Sequence, residues 1–531
     1  VSTEVVAYLS PEIVLLLAAI GIYMGGAFTK SAGQWFFWAM GAVLVAALCL
    51  WQCSPTAAKT VASSVAYPPV LADGLAHFGR WLALAVAVVM ILMSARPLAS
   101  GGTPEFFGSL LLIIAGSMLV STASNLVLMF VGLELVSIPT YIILSLGRRD
   151  AHSQEAAAKY FYLSILASAV LLYGLSFLYG TTGTMQLTEI RDYSRFAALS
   201  PAGFAGLVKI GAVLVIAGLC FRITAVPFHF YAPDVYEGTI QANAALLSVI
   251  PKAAGLIALL RLVVLAVPDF GTTGWKLAIA LSMLTMTLGN VLALWQNNVR
   301  RLLAYSSIAN AGYMLIGIAV ALGTGGLGTS GLGTAGIVKA GWWDGVGAML
   351  FYLCAYAAAT LGVFAAFTHL GRQRLQVETV DELAGLGRTH PAMAAAVATC
   401  MFSLAGLPPA GGLWGKLFLF MGALNVEAGQ AGDLRPWFIA LAVVGVVNAA
   451  IGAAYYLRIV ATMYFREPLT TPRAEGGPGP WLAAVGCALA VLALGIYPLP
   501  LINSCRQASG VLEVAQSAPP VASPQLVAKG R

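Results

Sequence analysis

Charge is what this sequence has least of. Asp, Glu, Lys and Arg make up 9% of its 531 residues and hydrophobic residues 60%, whereas soluble domains carry about a quarter charged residues. A soluble globular fold is excluded. The seven cysteines never fall in a C-x-x-C spacing, so the usual iron–sulfur and zinc signatures are missing and no metal or cofactor site is assigned to the chain. Cys49 and Cys53 lie a helical turn apart and read as small apolar packing residues. The opening VSTEVVAYLSPEIVLLLAAIGIY has no basic n-region and carries Glu4, so it is expected to be a first membrane span and not a cleaved signal. The net charge of +7 then reflects basic membrane-flanking loops, not a nucleic-acid surface.

What the chain does have is apolar runs of about 17 to 25 residues, each long enough to cross the hydrocarbon core as a helix. About fourteen are expected, near 11–28, 35–52, 81–97, 106–123, 125–146, 157–180, 207–226, 240–262, 275–294, 301–322, 346–369, 392–424 (broken), 437–461 and 480–500. The fold class is an all-α polytopic membrane protein. Residues 53–80 read as a polar, proline-containing loop, 322–340 as a flexible glycine-rich connection, and the tail from Arg506 as disordered. A literal G-x-G-x-x-G at Gly323, Gly325 and Gly328 has no preceding strand, so a dinucleotide site is rejected. Lys and Arg number about a dozen near the span ends on each side, which leaves orientation open under the positive-inside rule. The compact clusters Arg148/Arg149, Arg300/Arg301 and Arg372/Arg374/Arg388 do all follow odd-numbered spans.

The stretch FRITAVPFHFYAPDVYEG, Phe221 to Gly238, organises the rest. Proline removes a backbone donor and clashes with the preceding turn, so the seventh span must break near Pro227. In a membrane such a break survives only where protein or a water-filled cavity satisfies the freed backbone groups. A similar stretch, Ser403 to Pro408, interrupts the twelfth span. Two broken helices in corresponding positions point to inverted repeats of five spans, four to eight and nine to thirteen. The expected divisions are 1–105, 106–266, 275–466, a last helix at 478–505 and the tail 506–531.

A charged side chain at bilayer depth costs roughly 2.5–3.5 kcal/mol on insertion scales, so each needs a reason. Glu134 lies about ten residues into the fifth span, Lys252 in mid-span beside Pro251, and Lys416 just past the second break. All three read as members of a proton path, against the blander readings of static ion pairs or snorkelling lysines. Lys159, near the start of the sixth span, divides evenly between snorkelling and function. His229 sits in the first break with a side chain suited to proton exchange. Arg222 keeps its proton in proteins, so it holds the charge of Glu134 and is no carrier. Asp234 and Glu237 are placed at the membrane surface. Asn125, Tyr141, Tyr305, Ser306, Ser307, Asn310 and Tyr313 are candidates for a hydrated chain, or for ordinary interhelical glue.

Five motifs in order, GLELVSIPTY, HSQEAAAKYFYLSILASAVLLYGLSFLYG, FRITAVPFHFYAPDVYEG, RLLAYSSIANAGYMLIG and GLPPAGGLWGK, resemble the subunit N family of bacterial respiratory complex I, within the antiporter-like membrane proteins. The resemblance runs from about Glu105 to Arg466. It implies fourteen spans with inverted repeats and proton translocation through Glu134, Lys252 and Lys416, with Lys159 matching a lysine often seen in the sixth span. Arg222 stands where the family has a lysine in the seventh. It also implies a bacterial inner-membrane location, no redox centre in this chain, and partner subunits carrying the NADH, FMN, iron–sulfur and quinone chemistry. Its partners would be other complex I membrane subunits. The alternatives are a subunit of a multisubunit cation/proton antiporter, the membrane subunit of a proton-pumping hydrogenase complex, and a helical scaffold with static charges.

Overall fold

The computed structural model describes residues 3–29, 32–53, 70–95, 102–147, 150–198, 204–267, 271–325, 344–371, 377–426, 434–468 and 474–517. Among them, thirteen helices are long and apolar enough to cross a bilayer: Ser10–Phe28, Gly33–Gln52, Gly74–Met93, Thr103–Thr122, Leu126–Gly147, Ala151–Thr182, Gly206–Ile223, Gln241–Val264, Gly274–Leu294, Val299–Thr324, Gly345–Leu370, Leu434–Phe465 and Pro478–Ile496. Two shorter apolar helices, Pro391–Ala405 and Gly411–Leu424, stand where one more span was expected and are counted here as the two halves of span twelve. Spans one to eleven are then the first eleven helices, and thirteen and fourteen the last two. Extended pairing among the described residues is confined to isolated bridges. The protein is a multi-pass, all-α membrane protein.

Burial sorts the spans. Every residue of Gln241–Leu259 in span eight is buried, and spans ten and eleven pack around it. Spans one and two present Leu17, Trp38 and Trp51 outward, as lipid-facing helices do. Most of the connection 322–340 lies outside the described residues; its first part continues span ten as helix.

Two boundaries differ from the sequence expectation. Span three starts at Gly74, so the end of the expected 53–80 loop is helical. The reason is a cap: Asp73 accepts a hydrogen bond from the Ala76 amide at 2.7 Å, satisfying a donor that a helix start leaves free. The tail expected to be disordered from Arg506 begins inside a helix, Leu499–Ser517. Ile502, Cys505 and Ala508, three apart, are buried there, and the helix packs on spans three and eleven. Residues 518–531 lie outside the described set.

Two local arrangements recur. Before span five, Leu126 N–H donates to Met185 O and Leu187 N–H to Ser124 O, both at 2.9 Å. Before span ten, Val299 N–H donates to Glu378 O at 2.8 Å and Val380 N–H to Asn297 O at 3.0 Å. In each case an asparagine, Asn125 or Asn298, caps the helix that follows. Asn125, a candidate for the hydrated chain, is therefore a helix cap.

Two buried ion pairs lock the N-terminal spans to this core. Arg80 in span three donates to Glu12 in span one at 2.7 and 3.0 Å. Arg261, at the end of span eight, is fully buried and donates to both oxygens of Asp73 at 2.9 and 2.8 Å. Asp73 is thus both cap and counter-ion. Asp73→Ala removes the cap and strands a buried guanidinium, a loss of about 3–5 kcal/mol for such a pair. The detergent-solubilised protein should unfold at a clearly lower temperature, with Asp73→Asn, which keeps a capping oxygen, in between. An unchanged midpoint for Asp73→Ala would refute this role.

Candidate functional site

Both broken spans end in the same way. The span-seven helix stops at Ile223, and Thr224 takes a left-handed φ of 59°, unfavourable for a β-branched residue. The span-twelve helix stops at Ala405, and Gly406 takes φ 85°. Each break turns through a cis X-Pro peptide, Val226–Pro227 or Pro408–Pro409. The freed groups are met inside the protein: Tyr231 OH donates to Phe221 O at 2.9 Å, Val226 N–H to Thr285 Oγ1 at 3.0 Å, and Gly412 N–H to Ser403 Oγ at 3.1 Å.

Arg222, in the last turn of the span-seven helix, is 5% exposed and reaches span five. Its Nη2 donates to Glu134 Oε1 at 2.6 Å and to Ser168 Oγ at 3.1 Å. Its Nη1 donates to Leu133 O at 2.9 Å and to Ser137 Oγ. Ser168 Oγ donates to the same Glu134 oxygen at 2.6 Å. A guanidinium with four acceptors is fixed in place, and it holds a carboxylate that is itself 20% exposed.

Lys252 is fully buried in span eight. Its ammonium donates to Ser307 O at 2.6 Å and to Ser307 Oγ on span ten. Ser307 Oγ shares a hydrogen with Tyr356 OH on span eleven at 2.6 Å, and that hydroxyl donates to Ser248 O at 3.1 Å. Gly255, less than one turn beyond Lys252, is where Arg222 packs: a Cβ there would lie 3.3 Å from the Arg222 Cβ and 2.8 Å from Ile223 Cγ2. The absent side chain lets the two sites approach.

Lys416, 4% exposed, donates to Leu404 O at 2.7 Å and Ala405 O at 3.1 Å. These are carbonyls left unpaired at the end of the first half of span twelve, where a helix dipole also favours a cation. Gly406 is required twice over, for its φ and because a Cβ would sit 2.9 Å from Lys416 Cδ. The ammonium lies 4.9 Å from the Tyr313 ring centroid, within cation–π range. Among the described residues neither Lys252 nor Lys416 has a carboxylate partner.

A polar chain fills the space between them. Ser306, beside Ser307, shares a hydrogen with Tyr456 OH. Asn310 donates to Ser306 O at 2.8 Å and Tyr456 OH at 3.2 Å, and accepts from Tyr352 OH. Tyr352 meets Tyr313 edge to face at 6.3 Å, and Asn290 donates to Tyr313 OH at 3.2 Å. The sequence reading named Ser306, Ser307, Asn310 and Tyr313. It missed Tyr352, Tyr356, Tyr456 and Asn290, whose one signal was polar side chains inside otherwise apolar spans.

Lys159 and His229 stand outside this chain. Lys159 is 41% exposed and pairs with Glu155 at 2.8 Å and Asp234 at 3.1 Å. Asp234 is shared with Arg301 at 3.1 Å, and Arg301 also binds Glu237 at 2.8 Å, so these charges form one rim cluster. His229 is half-buried in the first break, with a buried Nδ1 that has no hydrogen-bond partner among the described residues. Tyr141 donates to Ser164 at 2.9 Å, at the span five–six contact.

Comparison with known proteins gives the family. The family model described as NADH:quinone oxidoreductase/Mrp antiporter, TM, matches residues 123–447, which hold Glu134, Arg222, Lys252 and Lys416. NADH-quinone oxidoreductase subunit N of Granulibacter bethesdensis is 35% identical over 95% of this chain and 98% of its own. A chain in the structure of respiratory complex I from Thermus thermophilus with bound aureothin superposes with a TM-score of 0.72 at 28% identity, covering 93% of this chain and 98% of that one. A chain of the Mrp complex from a Dietzia species shares the fold, with a TM-score of 0.77 at 19% identity and coverage of 97% and 99%. With a family match over more than half its length and a full-length relative at 35% identity, this chain belongs to the NADH:quinone oxidoreductase/Mrp antiporter transmembrane family.

Proposed function

We propose that this chain is the proton-translocating membrane subunit N of an NADH-quinone oxidoreductase in a bacterial inner membrane. The observation that carries the proposal is a pair of buried lysines that, among the described residues, have no carboxylate partner, with serine, tyrosine and asparagine side chains set between them. An unpaired ammonium at bilayer depth is costly. A lysine can load and release a proton there, which an arginine cannot. Glu134, held by Arg222, is the charge that biases Lys252 across the gap at Gly255. Proton transfer runs from the span-seven break, past Glu134 and Lys252, along Ser306, Tyr456, Asn310 and Tyr352, to Lys416. Lys159 and His229 serve at the rim, where protons are admitted.

The electron chemistry belongs to partner subunits carrying NADH, FMN, iron–sulfur clusters and quinone. Neighbouring antiporter-like and small membrane subunits would transmit the driving force. Spans four to eight and nine to thirteen are two inverted five-helix repeats, a division supported by the recurring bridges, asparagine caps and breaks. The likeness to the Mrp complex keeps a cation/proton antiporter subunit as the second reading.

A tagged chain solubilised in gentle detergent separates the two readings. Co-purification with NADH-dependent quinone reduction supports the first; a pool of membrane subunits without redox activity supports the second. Within the assembled complex, Lys252→Ala and Lys416→Ala should each abolish most pumping while assembly is retained. A scaffold would lose assembly and keep pumping per assembled complex.

Arg222→Lys should leave pumping unchanged, and Arg222→Ala should match Glu134→Ala, because the guanidinium only fixes the carboxylate. A sharp rise in pumping for Arg222→Lys would make the position a relay and refute this assignment.

A further inference from the structure

A cavity of about 980 Å³ opens between spans three, eleven and fourteen and the terminal helix Leu499–Ser517. It lies behind span eleven as seen from the lysine chain. Cys354 and Ala358 line it, and each is two residues from Tyr352 or Tyr356, about 200° around the helix. On span three the lining runs from Gly74 to Leu92 at helical spacing. Eighteen residues at 1.5 Å give about 27 Å, close to the ≈ 30 Å hydrocarbon core of a bilayer. At Gly486 in span fourteen a Cβ would meet nothing within 4 Å.

The polarity is one-sided. Along its length the walls are apolar, Phe78, Val86, Leu361 and Leu482 among them, whereas Asp73, His77, Ser504 and Gln507 gather at one end. Asp73 is neutralised by Arg261. His77 Nε2 accepts the Trp81 indole N–H at 3.0 Å, so in the neutral ring the proton sits on Nδ1 as a donor. Ser504 and Gln507 are exposed on the terminal helix. Ser504 Oγ donates to Pro500 O at 3.1 Å, so the donors this end offers are His77 Nδ1 and the Gln507 amide, with no net charge. The shape suits a long hydrocarbon tail with an acceptor-rich head. A compact polar substrate would leave most of the length dry, and water would lack partners along it. Leu482, in the second turn of span fourteen, lines the cavity and is 53% exposed.

We propose that this cavity holds one acyl chain of a membrane phospholipid, its ester and phosphate oxygens at His77 and Gln507. The lipid then supports the back of span eleven, whose other face carries Tyr352 and Tyr356. This site does not depend on the proton reading. An isoprenoid quinone shares the tail-and-acceptor chemistry, and the test separates the two.

The test places a photo-reactive benzophenone amino acid at Ala85, which lines the cavity, in the full chain expressed in its membranes. A second site, Leu17, faces bulk lipid at 64% exposure. The protein is washed exhaustively in lipid-free detergent before irradiation, and the adducts are weighed by mass spectrometry. A phospholipid adduct at Ala85 that outlasts the one at Leu17, and that is lost in Gly486→Phe, is the expected result. Gly486→Leu serves as a milder filler should the larger side chain disturb folding. No adduct, a quinone or peptide adduct, or a phospholipid adduct undiminished in a folded Gly486 variant overturns the proposal.

Discussion

A carbonyl released from a helix inside a bilayer must find a donor, because no bulk water is there to supply one. Much of this structure follows from that constraint. Span twelve breaks at Gly406, and the donor that meets Leu404 O and Ala405 O is the ammonium of Lys416. Span seven breaks at Thr224, and Phe221 O accepts both the Thr224 N–H and the Tyr231 hydroxyl. The first break sets Arg222 at a helix end facing Glu134, and the second makes a site in which a buried lysine is solvated by backbone oxygens. The cost of interrupting each helix is therefore linked to the placement of a charge.

The same logic explains why the centre of the protein is polar yet closed. Span eight is buried on every side, so Lys252 cannot snorkel and is met by Ser307 and, through it, Tyr356. Serine and tyrosine hydroxyls both donate and accept and so reverse by rotation, whereas Asn310 accepts at Oδ1 and donates from Nδ2, so its link turns over only when the amide flips. Arginine appears where charge must stay: Arg222 on Glu134, Arg80 on Glu12 and Arg261 on Asp73. Lys252 and Lys416 lie at depth with no carboxylate partner among the described residues. That division of labour is the physical content of the proposed mechanism.

Much of this was legible in the sequence. Run length gave the spans because a bilayer fixes helix length, and Pro227 and Pro408 gave the breaks because proline cannot continue a helix. Glu134, Lys252 and Lys416 stood out as charges in apolar runs. The end of the 53–80 block was misread because the Asp73 cap acts on a helix whose first turn is only weakly apolar. The start of the tail, 506–517, was misread because the helix continues past Arg506, with Ala508 buried only against other spans. Tyr352, Tyr356 and Tyr456 were missed for the same reason. A tyrosine in an apolar run carries no sign of whether its hydroxyl meets a partner, and these partners lie on helices distant in sequence. Lys159 and His229 were read as members of the proton path; their place outside the buried polar cluster depends on how the spans pack.

The account turns on protons passing between the two lysines through the polar side chains around Asn310, which links Tyr456 to Tyr352. Asn310→Leu keeps a similar volume and removes both links. The most direct measurement is the number of protons moved per electron by the assembled complex carrying this variant, reconstituted into vesicles. The account predicts that quinone reduction continues while this ratio falls to the level of Lys416→Ala. A ratio equal to that of the unaltered chain would contradict it.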